Sequence, residues 1–179
     1  NSVGAWLAGA VPHRAPGAAA NSQASGLAFD AMLAKPRKAM LLVNFEPERD
    51  VFDPDATMRA LDGSEFVVAL ANYHTEALEK VADVLLPAAV FTETSGTYVN
   101  AGGVHQSFTG VVNAPGEARP AWKVLRVLGN MLDLEGFDYA SSEDVRDDLV
   151  QQCPSELSAL IIGDSPTDRR ANGEGLQRI

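Results

Sequence analysis

Cysteine is almost missing from this chain of 179 residues: Cys153 is the only one. A lone thiol excludes an internal disulfide, a Cys-rich zinc site and an iron–sulfur cluster held by this stretch, since each needs several thiolates from one neighbourhood. Long apolar runs are missing too. The longest, Ala39–Val43 and Val84–Phe91, fall far short of the roughly 20 residues that cross a bilayer, and no basic-then-apolar signal segment opens the chain. Direct membrane insertion is therefore not expected. Positive charge is scarce, with 14 Lys and Arg against 24 Asp and Glu and a net charge of -10. A nucleic-acid backbone or an anionic membrane surface is repelled by such a protein. The chain also lacks a G-x-S-x-G elbow, a G-x-x-x-x-G-K-[ST] phosphate loop and an H-E-x-x-H helix, the signatures of common hydrolases, nucleotide hydrolases and zinc proteases.

What is present is ordinary globular material, 46% hydrophobic and 21% charged, enough to bury one core. The chain starts at Asn1 without a methionine and stops at Ile179 without a clear closing element, which raises the expectation of a piece from a longer chain. Charge is uneven. Arg14, Lys35, Arg37 and Lys38 face only Asp30 in residues 1–45, whereas Asp133, Glu135, Asp138, Glu143, Asp144, Asp147 and Asp148 outnumber Arg146 near the other end.

From Lys38 onward the pattern is readable. Ala39-Met40-Leu41-Leu42-Val43 is a continuous apolar run, which predicts a strand covered on both faces. Asp53-Pro54 then opens a helix, with Asp as cap and Pro at the first helical position, and Gly63 closes it. Phe66–Leu70 reads as a second buried strand. Thr75 caps a further helix with Glu76 at its positive end, and Val84–Leu86 reads as a third strand. The connecting residues 44–65 and 71–83 are long enough for parallel crossovers and too long for tight hairpins. The expected unit is βαβαβ, an incomplete doubly wound parallel sheet of the α/β class flanked by helices.

Elsewhere the signals are weaker. Short helices are expected within Ser2–Ala10, ending near Gly9, and within Leu27–Leu33, separated by a surface loop from Ala15 to Gly26. Thr92–Gln106, crowded with glycine and small polar residues, reads as a structured loop with short extended pieces. Arg119-Pro120 opens an amphipathic helix with Trp122, Leu125, Leu128 and Leu132 on its apolar face and Lys123, Arg126 and Asn130 on its solvated one, closed by Gly136. Ser141 with Asp144 resembles a capping box for a last helix to about Gln151. Residues 164–170, beyond Cys153-Pro154, read as linker. The expected division is a loop-rich segment 1–34, an α/β domain 35–151, and a linker or the start of a further element in 152–179.

His13, His74 and His105 each stand without a Cys or His at metal-ligand spacing, so surface or loop histidine is the simpler reading. Gly96-Thr97 and Gly102-Gly103 can bring backbone amides to an anion, or simply mark turns. In an open parallel sheet, ligands bind beyond the carboxyl ends of the strands. That places Asn44, Glu46 and Asn72 among the candidates, although such residues also serve as ordinary caps.

Four submotifs in order and spacing then carry a resemblance: Ala82-Asp83-Val84-Leu85-Leu86-Pro87-Ala88, Glu93-Thr94-Ser95-Gly96-Thr97 with Asn100, Gln106, and Pro115-Gly116-Glu117-Ala118-Arg119-Pro120-Ala121-Trp122. Together they resemble the molybdopterin oxidoreductase family. Residues 118–143, with Trp122–Asn130 and Gly136-Phe137, look most like the large peripheral-arm subunits of bacterial NADH:quinone oxidoreductase, respiratory complex I. The resemblance runs over roughly residues 1–150, most securely 82–143. It implies a domain of the formate dehydrogenase/DMSO reductase type from the carboxyl-terminal half of a longer chain, whose amino-terminal part holds cysteine-bound iron–sulfur clusters. It implies as partners the other domains of that subunit and other complex I subunits, on the cytoplasmic side of the bacterial inner membrane.

Two departures bear on chemistry. Family members that hold a molybdopterin guanine dinucleotide show a G-x-N-P turn where this chain has Asn44-Phe45-Glu46-Pro47, and N-x-E-G-R-x-Q where it has Asn100-Ala101-Gly102-Gly103-Val104-His105-Gln106. A carboxylate beside a pyrophosphate meets like charge where an amide donates a hydrogen bond. No catalytic residue, no metal site and no cofactor are therefore expected in this stretch, and Asn44, Glu46, Asn72, Thr94, Gly96, Thr97, Asn100 and Gln106 are candidates only for a vestigial pocket. Two other readings stay open: half of a catalytic molybdopterin enzyme of the formate dehydrogenase kind, and an independent binding module.

Overall fold

A computed structural model describes residues 1–12, 26–35 and 37–152. The expected loop at 15–26, except Gly26, and everything from Cys153 onward, including the expected linker, lie outside the described residues, as does His13. Within them the chain divides into two compact units.

The larger unit comprises residues 27–95 and 109–142. It holds β1 (Ala39–Val43), α3 (Pro54–Asp62), β2 (Phe66–Ala71), α4 (Glu76–Val81) and β3 (Val84–Pro87), preceded by α2 (Phe29–Leu33) and followed by α5 (Ala121–Met131). The three strands pair in parallel in the order β1-β2-β3, with Leu41 opposite Val68 and Leu70 opposite Leu86. The expected βαβαβ unit is present. Its helices start where the caps stand: the Asp53 side chain accepts from the Ala56 N–H at 2.9 Å, and Thr75 Oγ1 accepts from the Leu78 N–H at 3.2 Å. Gly63 follows α3 but keeps φ at -79°, so the helix ends there without using a glycine's left-handed freedom.

The core is built around the central strand, on both of its faces. Val67, Ala69 and Leu70 of β2, Ala60 and Leu61 of α3 and Leu78 of α4 are all buried. Val67 N–H also donates to Asp83 Oδ2 at 2.7 Å, joining β2 to the residue just before β3. The expectation that Ala39–Val43 is covered on both faces is corrected here. On β1 every second residue is open, with Leu41 46% and Val43 41% exposed beside Phe66 of the central strand at 46%, because the face these side chains share is poorly covered at this edge of the sheet. Both crossovers run over one side, as right-handed connections between successive neighbouring strands require, and α3 packs against α4. The other face is covered only in part: Leu70, opposite Val43 in register, is buried, while Leu41, Val43 and Phe66 on that same face stay open.

Two further expectations change. The helix opened by Arg119-Pro120 runs from Ala121 only to Met131, not to Gly136, which sits in the following loop at φ +82°. Its apolar face is not uniformly covered either: Trp122 and Leu125 are half-buried, but Leu128 is 36% and Leu132 61% exposed.

The smaller unit takes in the described part of 1–26, residues 96–108, and the described part of 143–179. It contains α1 (Ser2–Leu7), the antiparallel pair β4 (Gly96–Val99) and β5 (His105–Phe108), and all but the first residue of α6 (Ser142–Gln152). The short extended pieces expected in the glycine-rich stretch are these two strands, and they pair as a regular antiparallel hairpin. Tyr98 and Phe108 stack across it with ring centres 4.7 Å apart, the kind of cross-strand aromatic contact that steadies a two-stranded ribbon.

Candidate functional site

The carboxyl end of the parallel sheet is where a ligand of this architecture belongs, and backbone geometry there is built by the residues singled out from the sequence. Asn44 leaves β1 at φ +48°, a left-handed conformation that asparagine tolerates better than most residues, while its N–H still bonds to the Leu70 carbonyl at 2.8 Å. Asn72, at the end of β2, donates its amide Nδ2 to the carbonyls of Ala88 and Ala89 at 3.2 and 2.9 Å. Ala88 in turn bridges in parallel to Arg119, whose carbonyl receives the Ala89 N–H at 2.9 Å. One side chain therefore ties the end of the central strand to the segment leading from β3 and, through it, to the start of α5.

The turn after β1 is closed by its own charges. Glu46 N–H donates to Asp50 Oδ2 at 2.8 Å, and Arg49 Nη1 donates to Glu46 Oε2 at 2.8 Å. Glu48 Oε2 is buried with no hydrogen-bond partner among the described residues. Phosphate recognition needs free N–H donors and close backbone approach. Here one turn N–H is already taken by a carboxylate, the single arginine is spent on another, and the buried orphan is itself an acceptor that a phosphate oxygen cannot satisfy. The turn does not fit the pyrophosphate of a dinucleotide cofactor.

Thr94 completes the candidates of the larger unit, its hydroxyl bonded to the Ser95 carbonyl at 3.1 Å. The other four lie in the hairpin unit, where three have visible structural work. A Cβ on Gly96 would stand 2.9 Å from the Phe108 ring, so glycine is what lets that ring lie over β4. Thr97 and Ser107 share a hydrogen bond of 3.0 Å across the pair. Asn100 Oδ1 accepts from the N–H groups of Gly102 and Val104 at 2.9 and 3.0 Å, and Gly103 takes φ +79°. That is an Asx-type turn which uses up the amides an anion would need. Gln106 is exposed on β5 opposite Tyr98.

Of the histidines, His74 is exposed. His105 is half-buried with Nε2 unpartnered among the described residues. Burial, and secondarily the Arg146 guanidinium, push its pKa below the ordinary 6.5. Among the described residues, no three His, Cys, Asp or Glu side chains are grouped to hold a metal ion, and no helix is long and apolar enough to cross a membrane.

Sequence reasoning missed the partners rather than the positions. Arg49 and Asp50 sit three and four residues after Glu46, a spacing that signals a self-closed turn. The carbonyls of Ala88 and Ala89 carry no sequence signal. An apolar groove of about 320 Å³ between α2, β1 and α3, lined by Phe29, Met32, Arg37, Met40, Phe45 and Leu61 among others, was also missed, because it exists only where an edge strand meets two helices.

These elements define a parallel α/β domain whose carboxyl-end turns are held by their own side-chain hydrogen bonds. Comparison with known proteins places it further. The molybdopterin oxidoreductase family matches residues 9–131, and the chain belongs to that family. It is 32% identical over 105 residues to the NADH-ubiquinone oxidoreductase 75 kDa subunit of Reclinomonas americana, covering 59% of this chain and 15% of that subunit. It is 34% identical over 95 residues to the mitochondrial NADH-ubiquinone oxidoreductase 78 kDa subunit of Neurospora crassa, covering 53% and 13%. It is also 31% identical over 134 residues to the F420-dependent formate dehydrogenase subunit alpha of Methanocaldococcus jannaschii, covering 73% and 20%. The chain thus spans a fifth or less of the length of each of these relatives.

Proposed function

We propose that this chain is a structural domain of the large iron–sulfur subunit of an NADH:quinone oxidoreductase, and that it conducts no electrons and binds no pterin itself. In this reading residues 35–151 form the family-type domain, flanked by the segments 1–34 and 152–179. The parent passes electrons from NADH through clusters held elsewhere in the same subunit to quinone. It works in a peripheral arm at the cytoplasmic face of a bacterial inner membrane, beside other subunits of the complex. The observation that carries the proposal is the turn at Glu46–Asp50. Three acids, Glu46, Glu48 and Asp50, stand there against Arg49 alone, and Glu46 and Asp50 already take hydrogen bonds from within the turn. The names of the complex I relatives supply the parent.

The likeness to a formate dehydrogenase subunit over 73% of the chain supports a second reading, a catalytic molybdopterin enzyme. One experiment separates them. A ligand that binds only the folded state raises its melting temperature, so the purified chain is titrated with guanosine diphosphate and assayed for molybdenum. The structural reading expects no shift and no metal. A saturable shift, or molybdenum near one per chain, overturns it.

A further inference from the structure

The carboxyl-terminal end of α5 presents an apolar surface that the larger unit leaves uncovered. Val127 is 44% exposed, Leu128 36%, Met131 77%, Leu132 61% and Leu134 51%. The spacing puts Val127 and Met131, and Leu128 and Leu132, one turn apart on the helix. Leu134 joins them because the helix stops in a Schellman-type cap. The Asp133 N–H bonds to the Asn130 carbonyl at 3.1 Å, and the Leu134 N–H reaches back to the Gly129 carbonyl at 3.0 Å. The chain end is thereby folded against the last turn. Phe137 then lies against Gly129, whose missing Cβ makes room for the ring. The display is a held conformation rather than a frayed end.

Acids rim this surface. Asp133, Glu135 and Asp138 are all exposed, and none forms an ion pair among the described residues. Asp133 occupies the cap position at φ +54°, where glycine is the residue the backbone favours. An acid stands there in its place.

We propose that this patch is a docking surface for a segment of another polypeptide that carries an apolar ridge flanked by lysines or arginines. The charge decides the occupant. A second copy of the chain would bring the same three acids against these three across a twofold contact, anionic headgroups would be repelled, and so would a phosphate backbone. A basic amphipathic segment gains from both parts: the apolar residues supply buried area, with methionine well suited to an adaptable contact, and the acids steer and orient the approach.

The test uses the whole chain and fluorescence anisotropy at physiological salt with three labelled peptides: an amphipathic Leu/Lys helix, its Leu/Glu counterpart, and a Lys/Ser peptide of equal charge without apolar residues. The expected result is saturable binding of Leu/Lys alone, weakened about tenfold or more, the scale of losing a hot spot, by Met131→Asp with Leu134→Asp. Circular dichroism checks that this variant keeps its fold. A charge-only variant, Asp133→Asn with Glu135→Gln and Asp138→Asn, is expected to lose most of the salt dependence. A control removing three exposed acids elsewhere, Asp55→Asn, Asp62→Asn and Glu79→Gln, is expected to bind as the parent chain does. Equal binding of Leu/Glu or Lys/Ser, no binding of Leu/Lys, an equal loss in the control variant, or self-association abolished by Met131→Asp would each overturn the proposal.

Discussion

Replacing Asn72 by alanine should be the most costly single change at the carboxyl end of the sheet. Its Nδ2 group serves two carbonyls, those of Ala88 and Ala89 at 3.2 and 2.9 Å, and both alanines are buried, at 4% and 6% exposure. A neutral hydrogen bond contributes about 1 kcal/mol net, but a buried acceptor left without a partner forfeits about 1–3 kcal/mol. With the two bonds sharing one donor group, the expected loss is about 2–3 kcal/mol, or roughly 5–10 °C in melting temperature for a chain of this size. The assay is urea unfolding followed by tryptophan fluorescence in a Trp6→Phe background, which leaves Trp122 of the same unit as reporter. Asn72→Asp sharpens the test, because a carboxylate would face two carbonyl oxygens and its pKa in the folded state would rise. Such a variant should be least stable near neutral pH and recover stability as pH falls through the raised value and the side chain protonates. A loss below about 0.5 kcal/mol for Asn72→Ala, the ordinary size of a neutral surface change, would refute the idea that this side chain holds the sheet to α5.

Gly129→Ala should destabilise the chain although alanine is the better helix former by about 1 kcal/mol, because the new methyl would meet the core of the Phe137 ring and overpacking costs typically about 1–3 kcal/mol; urea melts of Gly129→Ala with and without Phe137→Leu check this, and relief by the second change is expected. His105 has a pKa lowered first by burial and then by Arg146, so its contribution is complete above the unfolded value of about 6.5 and is lost as pH falls below it. Stability measured from pH 7.5 to 5 should decline less steeply in His105→Gln than in the parent chain, and parallel profiles would show that the ring carries no such linkage.

The sequence by itself determined the local frame, because its signals act over a few residues. Asp53-Pro54 and Thr75 fix helix starts through bonds three residues long, the apolar runs at 39–43, 66–70 and 84–86 become strands, and the connections between them are long enough for the parallel pairing they adopt. Glu46 and its neighbours Glu48 and Asp50 mark the turn after β1 as acidic, because charge is legible in a string of letters. Only the tertiary structure decided which apolar residues are covered. Ala39–Val43 reads as a buried strand yet lies at an edge, and Leu128 and Leu132 match a buried stripe yet stay open, since burial depends on neighbours that no periodicity names. The same holds for Asn72, whose type suits a cap, a ligand or a clamp equally. The choice fell to two carbonyls sixteen and seventeen residues away, brought within reach by the crossover between β2 and β3.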